Sequence, residues 1–368
     1  MFDKVQDLSI ESVVTVTGRV RARPDEMRNK EMDTGAVEVE ITDLQVLNPA
    51  DPLPFPIAEK ARVSNEALRL KHRYLDLRRS QMLQNVRARS QAAQVTRGYF
   101  LENGFLEVET PTLFKHTPEG AREYIVPTRE AGRFYALAQS PQQYKQLLMA
   151  GGIDRYFQLA RCYRDEDLRS DRQPEFTQID LEMSFVTQAD VQRMVQGLVR
   201  RLWREVKGVE VPGTFPHLNY RDAISRYGSD KPDTRYGLEI HNVSAHFGSG
   251  SQVSPVAEAL QRVVVGGGHV EVICVPGGAS TLASKDLRQV EELLVELGLK
   301  DGLRVAKVLE GGEWSKPLAL ETPAVRASVN AATQAAPGDL LIFLASVPLV
   351  NVRGFFLLSL VVINKTLL

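Results

Sequence analysis

Two neighbouring segments within residues 156–185 alternate between apolar and polar side chains. The first segment separates Phe157, Leu159 and Tyr163 from Gln158, Cys162, Arg164 and Glu166. The second separates Ile179, Leu181, Met183 and Phe185 from Phe176, Gln178, Asp180, Glu182 and Ser184. Because successive side chains of a strand point to opposite faces, the pattern predicts a hairpin with one apolar face and one charged face.

The charged face of this hairpin has two interpretations. It is a solvated sheet face, or it is a site for a charged ligand, since burying so many charges without partners would be costly. The connecting loop continues the same mixture of cations, anions and amides, with Arg169, Asp171, Arg172 and Gln173. Planar guanidinium and amide groups at matched positions favour the ligand site.

The N-terminal part of the chain reads as strands followed by a stiff linker. SVVTVTGRVRAR and VEVEITDLQVLN, within residues 12–48, are rich in β-branched residues and predict part of a small β-barrel. Arg19, Arg21 and Arg23 share one strand face, which either meets phosphates or faces solvent. The four prolines of residues 49–57 mark a domain boundary, and residues 59–79 are charged and partly helical.

Helices and short strands follow. A helix is predicted from Ser80 to a stop at Gly104, and the strands FLEVET and RFYALAQ come next. Ser140 is a suitable N-cap for a helix that ends at Gly151 and Gly152. Thr187 and Asp190 predict the start of another helix, whose apolar stripe is assigned to the core: Val191, Met194, Val195, Leu198, Leu202 and Val206.

The pattern changes at about residue 238, where glycines cluster between short apolar runs. A strand at VEVICVP and a helix at 284–298 predict a separate α/β insertion. Near the end, LLIFLASVPLV and GFFLLSLVVI are interrupted by Pro348, Asn351 and Arg353. A membrane helix needs about 20 unbroken apolar residues, so a buried strand or a non-native tail is favoured over a membrane span.

Length, net charge and cysteine content exclude few of the possible functions. The chain has 368 residues, enough for two or three domains, and a formal net charge of -1, so no overall basic field points to nucleic acid. Cys162 and Cys274 lie far apart without a CxxC spacing, which argues against a zinc site or a disulfide framework and fits a reducing compartment. The N-terminal segment has the pattern of neither a signal peptide nor an Arg-rich transit peptide.

A reaction between an amino acid and ATP would use the charged residues found here. The substrate ammonium needs an anion, an acidic substrate side chain needs a cation, and the α-phosphate needs an arginine for its developing charge. Glu119 in TPEGAREY, Lys145 on the predicted helix, and Arg164 with Glu166 on the hairpin are candidates. Alone, Glu119 could be a solvated loop carboxylate and Lys145 a surface side chain.

Several segments resemble one enzyme family. FLENGFLEVETPTL resembles motif 1 of class II aminoacyl-tRNA synthetases, and CYRDEDLRSDRQPEFTQIDLEMSF resembles motif 2. QSPQQYKQLLM, TPEGAREYIVP and YGSDKPDTR are similar to the bacterial type of aspartyl-tRNA synthetases, a lineage that includes the mitochondrial enzymes. The resemblance extends to about residue 345.

The resemblance implies an α+β fold, with a class II antiparallel sheet and flanking helices. The implied domains are a partial OB-fold anticodon-binding barrel (1–48), a linker or hinge (49–79), the catalytic core with motifs 1 and 2 (80–237) and a GAD-like α/β insertion (238–347). An unmatched apolar tail (348–368) would follow.

The resemblance also assigns roles to residues. Aspartate binding is implied for Glu119, Ser140, Gln142, Lys145, Arg164, Gln178 and Asp180. ATP binding is implied for Arg164, Glu166 and Gln173, with Arg164 as the catalytic residue and Pro111 at a dimer interface. The implied reaction joins L-aspartate to ATP as aspartyl-adenylate and then transfers aspartate to tRNA(Asp). The implied lysine–carboxylate pair would reject asparagine, whose neutral side chain leaves Lys145 unpaired.

Cofactors, partners and location are implied in the same way. ATP with Mg²⁺ would be the substrate complex, no protein-held metal is expected, and the enzyme would be a homodimer without a membrane segment. The mitochondrial matrix is favoured, with a bacterial-type cytoplasm as the alternative.

Parts of the family pattern have no counterpart in this sequence: the first OB strands, motif 3, the later histidine and arginine of the aspartate pocket, and the acids expected to hold magnesium. The sequence is therefore expected to be a fragment, a splice product or an incomplete gene model. Three hypotheses follow: weak residual activity, catalytic inactivity (the favoured one), and a non-enzymatic tRNA- or partner-binding module.

Overall fold

The structure is a computed structural model. It describes residues 8–346, except residues 31, 59–61, 63, 170, 249–252, 256, 297–302, 317 and 319–320. The chain divides into two compact units, Met1–Gly213 and Thr214–Leu368.

The first unit begins with a two-stranded antiparallel ribbon, formed by β1 (Val13–Ala22) and β2 (Val37–Asn48). Cross-strand pairs such as Val20 with Val39 form an apolar face, and Arg21 with Glu38 a charged face. Every residue of β1 is exposed. Both strands fall where the sequence predicted them, and the partial OB-fold assignment stays a prediction.

Two short helices, α1 (Glu66–Lys71) and α2 (Arg73–Asp76), follow the linker. The Asp76 carboxylate is fully buried and accepts hydrogen bonds from Arg69 Nε at 2.9 Å and from Arg73 Nη1 at 2.5 Å. The hydrogen bond from Arg69 holds the pKa of Asp76 below its ordinary value, although burial acts in the opposite direction. The two guanidinium partners therefore compensate the buried Asp76 charge and hold α1 and α2 together.

The core of the first unit lies between the long helix α3 (Ser80–Glu102), the helix α5 (Gln188–Leu202) and the strand Arg155–Tyr163 that carries Phe157. The apolar core cluster consists of Phe100, Phe105, Phe157 and Leu198, and Phe100 stacks on Phe157 with ring centroids 4.9 Å apart. The predicted capping box of Thr187 and Asp190 is confirmed. The prediction that the whole stripe of α5 is core was wrong at Val191 and Val195, which are 38% and 39% exposed.

Two three-stranded sheets complete the first unit among the described residues. One has the order β3–β7–β8, with strands Leu106–Glu107, Arg155–Tyr163 and Glu175–Met183, in which β3 is parallel to β7 and β7 is antiparallel to β8. The other has the order β4–β6–β5, with strands Leu113–Phe114, Phe134–Leu137 and Ile125–Pro127. The helix α4 (Gln142–Ala150) connects β6 to β7.

The predicted hairpin forms, but both strands are shorter than predicted. β7 ends at Tyr163, so Arg164 and Glu166 lie in the loop instead of on the strand. Phe185 was assigned to the apolar face and is fully exposed, because the chain turns there with φ of 55°. Ile179, assigned to the same face, is 43% exposed.

The second unit is a four-stranded antiparallel sheet with helices, in the order β11–β12–β10–β9. Its strands are Leu303–Lys307 (β11), Leu340–Ser346 (β12), His269–Val275 (β10) and Ile240–Asn242 (β9). Its helices are Tyr220–Tyr227 (α6), Glu258–Val265 (α7), Gly278–Thr281 (α8), Ser284–Glu296 (α9) and Pro323–Thr333 (α10). The core contains Trp314 and Phe343, whose ring centroids are 5.4 Å apart.

Two features of this unit bear on the sequence predictions. The buried strand expected near the end of the chain is present as β12, whose Leu340–Leu344 segment is at most 1% exposed; the predicted tail (348–368) lies outside the described residues. The division after Gly213 precedes the predicted boundary at 237/238, since Arg226 on α6 forms a bidentate ion pair with Glu239 just before β9. The finer domain assignments stay predictions. Among the described residues, no helix is both long and apolar enough to span a membrane.

Candidate active site

A buried charge cluster lies where α4 meets β8. Lys145 Nζ is 2.7 Å from Asp180 Oδ1 and 3.3 Å from Glu182 Oε2, and it donates to the Leu181 carbonyl at 3.4 Å. The side chains of Lys145 and Asp180 are 10% and 7% exposed. The period of two along β8 brings Asp180 and Glu182 to the same ammonium, as expected for residues that share one strand face.

The second oxygen of Asp180 is the exceptional atom of this cluster. Oδ2 is buried and has no hydrogen-bond partner among the residues that the structure describes. Burial raises the pKa of Asp180, its contacts with Lys145 and with the Tyr156 hydroxyl oppose this effect, and the neighbouring Glu182 charge adds to it. The Tyr156 hydroxyl donates its hydrogen to Gln158 Oε1 and so does not satisfy Oδ2. A buried acceptor without a donor is costly, and it suits a ligand that brings an N–H group.

The loop that carries Glu119 approaches the start of α4. Glu119 Oε2 accepts a hydrogen bond from the Ser140 hydroxyl at 2.8 Å, and Ser140 Oγ accepts one from the Gln142 backbone N–H at 3.2 Å. Ser140 was predicted as the N-cap, whereas the helix begins at Gln142 with Pro141 preceding it. The serine thus connects the loop that carries Glu119 to the start of the helix that holds Lys145.

Arg164 follows β7 directly and is held on two sides. Its guanidinium carbon lies 5.2 Å from the centroid of the Phe176 ring, and its Nε donates to the Gln139 carbonyl at 3.4 Å. Cation–aromatic contact orients the guanidinium plane. Glu166, two residues further along the loop, forms an ion pair with Arg172 at 3.3 Å. Arg164 and the Glu166–Arg172 pair therefore lie in the same charged loop between β7 and β8.

The remaining predicted residues are less constrained. Gln178 Oε1 lies 3.6 Å from Cys162 Sγ, and burial raises the pKa of this thiol to about 11. Gln142 is half-buried, whereas Gln173 and Pro111 are exposed. The structure thus brings Lys145 to Asp180 and Glu119 to Ser140, while Gln173 forms no side-chain hydrogen bond with a described residue.

Sequence reasoning missed three buried residues around the site. Glu123 follows Glu119 by four residues and Gln139 directly precedes Ser140, and Gln139 Nε2 donates to Glu123 Oε1 at 3.2 Å. Tyr156 is fully buried beside the Asp180 cluster, donates to Gln158 Oε1 at 2.9 Å, and has a pKa raised by burial and by the Asp180 charge. Only Tyr156 carried a signal, because it lies two residues before Gln158 on the polar face of β7. No group of three or more His, Cys, Asp or Glu side chains within the described residues is arranged to hold a metal ion.

Most of the chain matches a known protein family. Residues 65–334 match the family described as tRNA synthetases class II (D, K and N), which is more than half of the chain. The chain belongs to this family. The match includes the Glu119 loop, α4, the hairpin and most of the second unit, so the α+β class II fold predicted from the sequence is confirmed.

The names of curated relatives are more specific than that of the family. The aspartate–tRNA ligase of Limosilactobacillus reuteri is 46% identical over 334 residues, which are 90% of this chain and 54% of that protein. The aspartate–tRNA(Asp/Asn) ligase of Opitutus terrae is 44% identical, over 94% of this chain and 57% of the relative. The mitochondrial aspartate–tRNA ligase of Dictyostelium discoideum is 54% identical, over 67% and 35%. The chain thus spans about half the length of the first two relatives and about a third of the mitochondrial one.

Solved structures support the fold. Asparaginyl-tRNA synthetase of Entamoeba histolytica, in complex with asparaginyl-adenylate, superposes with a TM-score of 0.54 at 16% identity, over 97% of this chain and 82% of that one. The asparaginyl-tRNA synthetase of Pyrococcus horikoshii gives a TM-score of 0.50 at 18% identity, with the same coverage.

Proposed function

We propose that this chain is an aspartate–tRNA ligase, which activates L-aspartate with ATP and transfers it to tRNA(Asp). The observation that carries this proposal is the buried Lys145–Asp180 pair with its unpartnered Asp180 Oδ2. One cation and one unsatisfied carboxylate oxygen, side by side, match the side-chain carboxylate and the ammonium of aspartate. The names of the relatives support the same substrate.

Aspartate would bind to the Lys145–Asp180 cluster by replacing the longer contacts of Lys145 and by satisfying the second oxygen of Asp180. The substrate ammonium donates to Asp180 Oδ2, which no described residue satisfies. The substrate side-chain carboxylate takes the place of the longer Lys145 contacts, at 3.3 Å to Glu182 and 3.4 Å to the Leu181 carbonyl. Asparagine offers an amide in place of the carboxylate and leaves part of the lysine charge uncompensated, so binding discriminates against it.

The adenylation step would use Arg164. The α-carboxylate of aspartate attacks the α-phosphorus of ATP, a new oxygen–phosphorus bond forms, and pyrophosphate leaves from the opposite side. Negative charge grows on the α-phosphate oxygens, and a pre-oriented guanidinium stabilises it. The Phe176 ring and the Gln139 carbonyl provide that orientation. Glu166 and Gln173 are proposed to contact ATP from the adjoining loop.

The transfer step completes the reaction. A hydroxyl at the 3′ end of tRNA attacks the aspartyl carbonyl, the ester bond forms, and AMP leaves with the electrons of the broken bond. Glu119, held by Ser140 at 2.8 Å, is proposed to cover the amino acid during both steps. Mg²⁺ would enter with ATP as part of the substrate complex, and no step here is assigned to a protein-held metal.

Aspartate-dependent pyrophosphate exchange with the purified chain tests this proposal. The sequence alone favours an inactive chain, whereas the Lys145–Asp180 pair and the oriented Arg164 lead us to expect aspartate-dependent exchange by the wild type. Arg164→Ala should lower the rate by about 100- to 1,000-fold, the usual cost of losing one transition-state donor. The matched control is Arg161→Ala, which removes an exposed arginine of β7 paired with Glu175; it should stay within about twofold. Absence of aspartate-dependent exchange in the wild type would refute catalysis by this chain.

The alternative is a tRNA-binding module without catalysis. Arg19 and Arg21 on the exposed ribbon favour it, although Arg21 is paired with Glu38. Filter binding of tRNA across a salt series tests it, because phosphate contacts weaken steeply with salt. Salt-insensitive or absent binding would exclude this alternative.

Pro111 is proposed to lie at a homodimer interface. It connects β3 to β4, and the neighbouring apolar residues Leu106 and Leu113 are 52% and 49% exposed. The two leucines lie on the strands that flank Pro111, and a subunit contact there would cover both of them. Sedimentation velocity should show a dimer that Leu106→Asp and Leu113→Asp weaken; an unchanged association constant would contradict this interface.

The mitochondrial matrix is proposed as the location, since a mitochondrial enzyme and bacterial enzymes are both among the relatives. Fractionation of source cells with an antibody against this chain tests it. Recovery in the cytosol alone would contradict the proposal.

A further inference from the structure

We infer that Glu123 and Gln139 form a clamp that positions the Glu119 loop, defined as residues 116–123, over the proposed aspartate site. The inference rests on the proposed function for the identity of the ligand. The positioning itself rests on the hydrogen bonds of the loop.

Glu123 is the buried end of this clamp. Its side chain is 7% exposed, and its Oε1 accepts hydrogen bonds from the Thr117 backbone N–H and the Thr117 hydroxyl, both at 2.9 Å. His116 Nδ1 lies 2.6 Å from Oε2. Glu123 therefore binds the first residues of the loop from its last position and closes the loop on itself.

Gln139 connects the closed loop to the rest of the site. It is 2% exposed, its Nε2 donates to Glu123 Oε1 at 3.2 Å, and its Oε1 accepts from the Ala121 N–H at 3.2 Å. Its backbone carbonyl accepts from Arg164 Nε at 3.4 Å. One residue thus holds both the loop that carries Glu119 and the guanidinium assigned to the phosphate.

The clamp leaves only the tip of the loop free. Gly120 has φ of 23° and no atom within 4 Å of an added Cβ, whereas Thr117 and Ala121 on either side of the tip are bonded to the clamp. Glu119 lies between them and reaches Ser140. Ser140 holds the Glu119 carboxylate directly, whereas Glu123 and Gln139 hold the backbone on either side of it. Glu123 and Gln139 are therefore positioning residues, because they act on the proposed ligand only through the loop.

Hydrogen–deuterium exchange of the full chain tests the clamp directly. Glu123→Leu removes every acceptor of the carboxylate at nearly constant volume, and amides of residues 116–121 should exchange about tenfold faster or more. The control is Glu130→Leu, the same change at an exposed residue of the β5–β6 turn paired with Arg133. Unchanged loop exchange in Glu123→Leu, or equal acceleration in Glu130→Leu, would overturn the clamp.

A milder variant is needed in case Glu123→Leu unfolds more than the loop. If Glu123→Leu loses protection across β7 and β8 as well, Thr117→Val decides, because it removes one hydroxyl donor and keeps the shape and the backbone N–H. The loop amides should then exchange about threefold faster while β7 and β8 remain as in the wild type. Wild-type exchange of the loop in Thr117→Val would count against the clamp.

Pyrophosphate exchange separates positioning from general stability. Glu123→Leu should raise the KM for aspartate about tenfold and leave the KM for ATP within about twofold, because the loss lies on the amino-acid side of the site. An unchanged KM for aspartate with a loosened loop would overturn the positioning role. Absence of activity in the wild type would refute the proposed function alone, because the amide exchange of the loop still decides the clamp.

Discussion

The β1–β2 ribbon and the β7–β8 hairpin are built from the same sequence pattern and have opposite environments. Both pair an apolar face with a charged face. In the hairpin, Phe157 is fully buried and the Lys145–Asp180 pair covers part of the charged face. In the ribbon, Val20 is 69% exposed and Arg21 pairs with Glu38 in solvent. Alternation of apolar and polar residues thus predicts that a strand pair has two different faces. Whether a face is buried depends on the helices and strands that pack on it.

The largest expected effect comes from breaking the buried ion pair. Lys145→Met leaves the Asp180 carboxylate buried without its cation and should lower the unfolding free energy by about 3–5 kcal/mol. It should also abolish aspartate-dependent exchange. Arg21→Met, the same substitution at the exposed pair, should cost about 0–1 kcal/mol. Urea unfolding measures both changes in unfolding free energy. Equal losses of stability in Lys145→Met and Arg21→Met would contradict the difference between the hairpin and the ribbon.

The apolar faces give the next comparison. Phe157→Ala empties a position that packs on Phe100 and should cost about 3–5 kcal/mol. Val20→Ala on the ribbon should change the unfolding free energy by less than about 0.5 kcal/mol. Thermal and urea unfolding check the pair. A large loss in Val20→Ala would mean that the apolar face of the ribbon is covered in solution.

A smaller effect depends on pH. Burial alone would raise the pKa of Glu123, but the hydrogen bonds from Thr117, His116 and Gln139 lower it below its ordinary value. At pH values above the ordinary glutamate pKa of about 4.3, the unfolding free energy of the wild type should therefore exceed that of Glu123→Gln by about 1 kcal/mol. This difference should disappear as the pH falls through the lower pKa that Glu123 has in the folded state. Urea unfolding of both proteins between neutral and acidic pH measures it. An advantage that persists at the acidic end would contradict the assigned hydrogen bonds.

The smallest effect is the salt dependence of the two ion pairs. A double-mutant cycle on Arg21 and Glu38 should give a coupling of about 0.2–1 kcal/mol, most of which disappears in 1 M salt, where screening acts over about 3 Å. The same cycle on Lys145 and Asp180 should change little with salt, because both side chains are about nine-tenths buried. Equal salt sensitivity would place the two pairs in the same environment.

Local signals in the sequence predicted local structure well. The Ser80–Glu102 helix with its stop at Gly104, the capping box at Thr187 and Asp190, and both hairpins were predicted from short-range patterns. Those patterns depend on backbone hydrogen bonding and capping within a few residues. They do not report burial, which is why the exposure of Phe185, Val191 and Val195 was missed.

The site was predicted in part. Lys145 and Asp180 were both assigned to one pocket, but no pattern indicated that these two residues, 35 positions apart, pair with each other. Glu123 and Gln139 were missed because a buried clamp residue resembles any other polar loop residue in sequence. The roles assigned to all the predicted site residues stay predictions: Pro111, Glu119, Ser140, Gln142, Lys145, Arg164, Glu166, Gln173, Gln178 and Asp180.

The order of strands in the second unit has a consequence for synthesis. β12 comes last in sequence among the described strands and lies in the middle of the sheet, where it pairs with both β10 and β11. During translation, β10 and β11 therefore wait with unpaired edges until residues 340–346 leave the ribosome. The sheet of the second unit can therefore form completely only after β12 has been synthesised.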